Sequence, residues 1–144
     1  MTARTHPIIG TWTLLGYWTQ YTGGEKFYPL GRDARGYITY TAAGFMMGTM
    51  QRAAAPRFAV SDRLQATVEE KVRAFDDYVT YCGRWDADGE DMIHHIELSL
   101  LPNWIGESQR RHARWHGPDR VDLVGEWQIG DKRRAAVVEW ERAK

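Results

Sequence analysis

His94, His95, Glu97 and Arg111, all within the stretch IHHIELSLLPNWIGESQRR (Ile93 to Arg111), are the side chains whose types and spacing could do chemistry. A histidine titrates near neutral pH, and a carboxylate beside it can orient its ring, so a His and Glu97 could take and return a proton on a bound substrate. Arg111 could then hold a carboxylate, enolate or phenolate oxygen. Neighbouring residues of a β-strand point to opposite faces, so His94 and His95 cannot serve one cavity together. For the same reason they cannot both reach one metal ion. His95 and Glu97 alone are too few ligands, and no metal site is expected.

Strand pairing decides which histidine faces inward. If PNWIG is the loop to the next strand, Leu101 pairs with Glu107, Ser99 with Gln109, Glu97 with Arg111 and His95 with Ala113. The lumen then holds His95, Glu97, Ser99, Gln109, Arg111 and Trp115, while Arg110, His112 and Arg114 lie outside. A tight turn at Asp88-Gly89 argues otherwise, because it pairs Gly83 with His94 and sets His94 beside Tyr81, Gly83 and Trp85. The two loops agree only if a strand carries a bulge, expected near Gly89. His95 is favoured, and His94 stays a candidate. A buried Glu97–Arg111 clasp with a hydrogen-bonded core histidine would account for the same residues without any activity. Tyr17, Tyr40, Tyr78 and Tyr81 are further donors, and Trp18, Tyr40, Tyr81, Trp85, Ser99, Gln109 and Trp115 are candidate walls of a ligand cavity.

The elements that must position these groups are strands. Alternating, β-rich segments recur: GTWTLLGYWTQY, GYITYT, GFMMGTM, VTYCGRWD, DMIHHIELSLL, ESQRRHARWHG, RVDLVGEWQ and RRAAVVEWER. Short Gly-, Asp- and Pro-rich links such as TGGE, DADGED and IGDKR join them, as antiparallel hairpins require. One segment differs. In SDRLQATVEEKVRAFDDYV, Leu64, Val68, Val72, Phe75 and Val79 recur at helical spacing, which predicts an amphipathic helix near residues 62–79, capped by Ser61 or Asp62. It is expected to lie against the sheet or across its mouth, and against the sheet it would cover Ile96, Leu98 and Leu100 on the outside. The whole is an all-β fold of about eight antiparallel strands in up-and-down order. Closure into a barrel removes unpaired edges and leaves an interior wide enough for side chains or one small ligand.

Composition narrows the partners. The 144 residues fit one domain, 1–144, and Lys plus Arg equals Asp plus Glu at 19 each, which argues against nucleic acid. The longest apolar run is too short for a membrane span and the N-terminus lacks the apolar core of a secretory signal, so a soluble, cytoplasmic protein is expected. Cys82 is alone and a weak nucleophile candidate, and no nucleotide-binding glycine pattern, hydrolase elbow or Cys-x-x-Cys pair occurs. No cofactor is expected. Seven Trp, seven Tyr and four Phe suit either a core or the wall of a pocket for a flat, greasy ligand.

Several ordered motifs span most of the chain: Gly10-Thr11-Trp12, Pro29-Leu30-Gly31, Gly36-Tyr37-Ile38-Thr39-Tyr40, Gly44-Phe45-Met46, Pro56-Arg57-Phe58, His94-His95-Ile96-Glu97, Pro102-Asn103-Trp104-x-Gly106 and Trp140-Glu141-Arg142. Together they resemble the small lipocalin-like domain proteins of bacteria and fungi. The chain departs from that pattern at Cys82, where an aromatic or small residue is usual, and at the stretched link AAAPR. The resemblance implies that Trp12 packs in the closed end of the barrel beneath Arg142. It also implies two readings of function. One is a binding module for a small apolar or aromatic metabolite. The alternative is a cofactor-independent isomerase, cyclase or lyase that works by His/Glu acid–base catalysis on a natural-product intermediate. A small hydrophobic or aromatic ligand is the expected partner in either case, and a homodimer is left open.

Overall fold

The computed structural model describes residues 4–144. Eight antiparallel strands follow in chain order: β1 (Gly10–Tyr21), β2 (Arg35–Tyr40), β3 (Phe45–Gln51), β4 (Tyr78–Asp88), β5 (Asp91–Ser99), β6 (Ser108–Trp115), β7 (Arg120–Ile129) and β8 (Lys132–Arg142). Each pairs with the next, and β8 returns to β1 from Trp12 opposite Arg142 to Tyr21 opposite Arg134. The sheet is therefore a closed up-and-down barrel with no free edge. Two hairpins are as tight as the chain allows. Asp88 pairs with Asp91 and Ile129 with Lys132, so each loop is two residues long and begins with a glycine of positive φ, Gly89 or Gly130.

The helix is shorter than its periodicity predicts. It is α1 (Val68–Asp76), started by Thr67 in a capping box: the Thr67 hydroxyl accepts from the Glu70 N–H while the Glu70 carboxylate accepts from the Thr67 N–H. Asp62 caps only a single 3-10 turn, Arg63–Gln65, and Val79 belongs to β4. Nor does α1 cover the sheet, since Val68, Val72 and Phe75 stay exposed. The physical reason is that Ile96 points inward, which leaves β5 without the apolar outer stripe that such a helix would bury. Among the described residues no helix is long and apolar enough to cross a membrane.

One end of the barrel is packed solid. Ile8, Trp12, Tyr40, Trp85, Met92 and Val121 are all at most 1% exposed there. The Trp12 indole donates to the Ile8 carbonyl at 2.8 Å and meets Trp115 edge-on at 5.8 Å. Over its face lies the Arg142 guanidinium, 4.3 Å from the ring centroid, the arrangement the motif resemblance implies. Arg142 also donates to the carbonyls of Pro7, Ile9 and Pro118 and to Asp119, so one side chain ties the N-terminal segment, the last strand and the β6–β7 turn together. Replacement Arg142→Met removes the stacked charge and strands those carbonyls. Urea unfolding is expected to show a loss of about 2 kcal/mol or more. A loss within experimental error would mean the clasp is ornamental to stability.

Candidate functional site

Two bulges settle which residues look inward. In β1 the pairing with β8 shifts between Leu14 and Gly16, so Trp12 and Leu14 face the interior, then Tyr17 and Thr19 do. Strict alternation from Trp12 would have put Trp18 inside; instead it turns outward, with Lys26 Nζ 4.1 Å over its ring. In β5 the shift falls at Glu97. Cys82 pairs with Leu98 but Gly83 with Ile96, leaving Glu97 unpaired. The bulge expected near Gly89 thus lies at the other end of the hairpin. A side chain at Gly83 is incompatible with it, because a Cβ there would sit 1.9 Å from the His95 carbonyl oxygen.

The histidine question resolves against His95. Trp85 pairs with His94, and His94 pairs with Gln109, all three on the inner side. His95 pairs with Arg84 and Ser108 on the outside, where its ring bonds Ser108 Oγ at 2.7 Å and Asp86 at 2.8 Å. Glu97 is also outside, 3.8 Å from Arg84 and more than half exposed. The expected Glu97–Arg111 pair does not form. Its premise fails because β5 leaves β6 at Ile96, whose N–H donates to the Glu107 carbonyl, so the connecting loop starts several residues before PNWIG. Arg111 therefore stands opposite Met92.

His94 is 1% exposed and held at both ring nitrogens, by the Tyr40 hydroxyl at 2.6 Å on Nε2 and the Tyr81 hydroxyl at 2.7 Å on Nδ1. Proton positions follow from accounting. Tyr40 is 1% exposed and His94 is its hydroxyl's one partner among the described residues, so its O–H must donate to Nε2 or be buried unsatisfied. That leaves the proton on Nδ1, which donates to Tyr81. The Tyr81 hydroxyl accepts it and keeps its own proton free to donate into the cavity. Burial, helped by the positive charges of Arg111 and His95, lowers the His94 pKa to about 3 and keeps the ring neutral. Burial likewise raises the pKa of Tyr40 and Tyr81.

Above this layer the barrel holds a cavity of about 280 Å³. Ile38, Met50, Val79, Leu123, Val138 and Trp140 form its apolar wall. Trp104 closes in from the 3-10 turn Pro102–Trp104, edge-on to Tyr81 at 5.8 Å. Of the residues expected to line a site, His94, Tyr81, Gln109 and Arg111 do so. Tyr40 and Trp85 lie in the packed core beneath, Trp115 packs against Trp12, and the Ser99 hydroxyl is buried without a partner. Arg134 was missed, although two further steps back along β8 from Trp140, Val138 and Ala136 reach it. It donates to the Thr19 hydroxyl at 3.2 Å, and its buried Nε has no partner among the described residues. Tyr17, Thr19 and Trp127 complete the polar and aromatic side.

Acid should unmask the neutral His94. The unfolded chain binds a proton there below about 6.5, whereas the folded state refuses it until about 3. Stability present above 6.5 is then lost as pH falls through that window, by at most about 1.4 kcal/mol per pH unit. His94→Gln is expected to show a shallower fall in urea stability from neutral pH to about pH 5 than wild type; parallel slopes would contradict a buried neutral ring.

Three comparisons place the chain among known proteins, and the family match is the one that bears on the barrel. The chain is 34% identical over 74 residues, 46% of its length and 67% of the relative's, to the 4'-hydroxy-3'-methoxypropiophenone carrier protein ppsC of Aspergillus oryzae. A redesigned β-barrel overlays 96% of the chain and 93% of its own, with a TM-score of 0.43 and 11% identity. The model of the lipocalin-like domain matches residues 9–143, and the chain belongs to that family.

Proposed function

We propose that the protein carries or sequesters a small, largely aromatic metabolite inside the barrel without transforming it. The cavity carries this reading: a space of about 280 Å³, apolar on most sides, with its polar groups gathered on one. Such concavity with few convergent polar groups is the usual form of a small-molecule site, and this one lies just below the roughly 300–1,000 Å³ range. One or two aromatic rings would fill it. A relative that carries a hydroxylated, methoxylated aromatic ketone, by its name, supports the same class of cargo.

The alternative, an isomerase, cyclase or lyase, loses its proposed base. His95 and Glu97 lie outside the barrel, and His94, with a pKa of about 3, is a weak base and offers no imidazolium proton near neutral pH. Among the described residues no carboxylate lines the cavity.

Trp104, Trp127 and Trp140 border the space and give a direct readout. Titration with 4'-hydroxy-3'-methoxypropiophenone or 2-naphthol is expected to quench tryptophan fluorescence saturably, at one ligand per chain. Gly48→Phe projects a ring from β3 into the lumen, where a Cβ would meet the Ile38 side chain at 3.5 Å and Met46 Cε at 3.9 Å, both ordinary van der Waals contacts, and should abolish the effect while the barrel stays folded by circular dichroism. Equal binding to wild type and this variant would place the ligand elsewhere and overturn the proposal.

A further inference from the structure

The cavity is positively charged and lacks a counter-ion of its own. Arg111 and Arg134 both reach it, yet among the described residues neither has a carboxylate within salt-bridge distance, although most other arginines around the barrel do. Arg111 is half-buried. Its guanidinium donates to the Arg110 carbonyl at 3.0 Å and to the Gln109 side-chain oxygen at 2.5 Å, both on its own strand. These neutral acceptors satisfy hydrogen bonds and leave the charge uncompensated, a costly arrangement away from bulk water unless an anion arrives.

The strand behind Arg111 has made room for it. Gly125 on β7 faces inward, and a Cβ there would stand 3.0 to 3.2 Å from three atoms of the Arg111 side chain. The guanidinium thus rests in a notch that any larger residue would fill. Its charge reaches the tyrosines of the cavity. Burial raises the pKa of Tyr17 and Tyr81; Arg134 and, less strongly, Arg111 work against that rise at Tyr17, and Arg111 does so at Tyr81. Tyr81, whose hydroxyl proton is left free by the Tyr40–His94 bonds, faces the same space.

We propose that Arg111, seated over Gly125, and the Tyr81 hydroxyl together hold an anionic oxygen of the ligand, so that the cavity selects aromatic carboxylates or phenolates over neutral analogues of the same shape. This rests on the ligand-binding reading and specifies its chemistry. Arg134, two strands away on β8, supplies longer-range attraction. A guanidinium paired with an oxyanion makes the stronger, charge-assisted type of hydrogen bond, and a cavity wall of low dielectric increases the discrimination.

The test compares naphthalene-2-carboxylate with naphthalene-2-carboxamide, which share their ring system and differ in charge. Wild type is expected to bind the carboxylate about tenfold or more tightly. Arg111→Met should erase that preference while the carboxamide still binds. Gly125→Ala, which leaves every donor present and only crowds the guanidinium, should reduce it. Arg110→Gln, on the outer face of the same strand, should leave it unchanged. Titrating bound 4-nitrophenol by its phenolate absorbance separates the two sources of the oxyanion, because a phenolate site lowers the phenol's pKa in wild type but not in Arg111→Met. If the carboxamide binds as well as the carboxylate and 4-nitrophenol is not shifted, the charge inference fails and the binding reading stands. If neither naphthalene quenches the cavity tryptophans, both fail.

Discussion

Pairing of β8 with β1 leaves every strand with two rows of side chains, one that must fill the interior and one that must meet water. Within a closed sheet a strand cannot slide by one residue without exchanging its rows, so the identity of the lumen depends on where the alternation is reset. It is reset twice, near Leu14/Gly16 on β1 and at Glu97 on β5. The first turns Tyr17 inward and Trp18 outward. The second lets β5 present Ser99 and, beyond the bulge, Ile96, His94 and Met92 on one face. Without Gly83 the second could not exist, because only a residue lacking Cβ tolerates the His95 carbonyl at that distance.

The interior divides into a floor and a chamber with different physics. The floor is dense and aromatic, and its polar atoms are bonded: Trp12 to Ile8, Trp85 to Thr41, Tyr40 to His94. Full burial of these groups is tolerated because each has a partner; among the described residues the Trp140 Nε1, at the border with the chamber, has none. The chamber is less settled. It holds the orphan Nε of Arg134 and the unmatched charge of Arg111. Stability alone would favour an apolar residue or a carboxylate at such positions, and natural proteins depart from that rule mainly where a ligand supplies the missing partner.

His94 joins the two regions. Its ring is anchored from the floor by Tyr40 and passes the consequence upward as the orientation of the Tyr81 hydroxyl. A neutral imidazole performs this role better than a charged one, since a proton on Nε2 would compete with the Tyr40 donor for the same place. Its depressed pKa keeps the ring neutral, the form in which it can position the Tyr81 hydroxyl.

Composition and alternation alone determined the all-β meander, the number and approximate limits of the strands and the inward row Gln109, Arg111, Trp115 of β6, because each rests on local patterning. The helix was legible as a type of element, but its length and exposure were not, since both depend on what the sheet beneath it offers. The choice between His94 and His95, and with it the fate of Glu97, was decided only in three dimensions. Two short-range loop arguments gave opposite parities, and neither could see that β5 departs from β6 at Ile96 or that Gly83 permits a bulge opposite Glu97. A bulge is a property of two strands in contact, so the face on which a residue beyond it stands is written in the pairing and not in the strand's own residues.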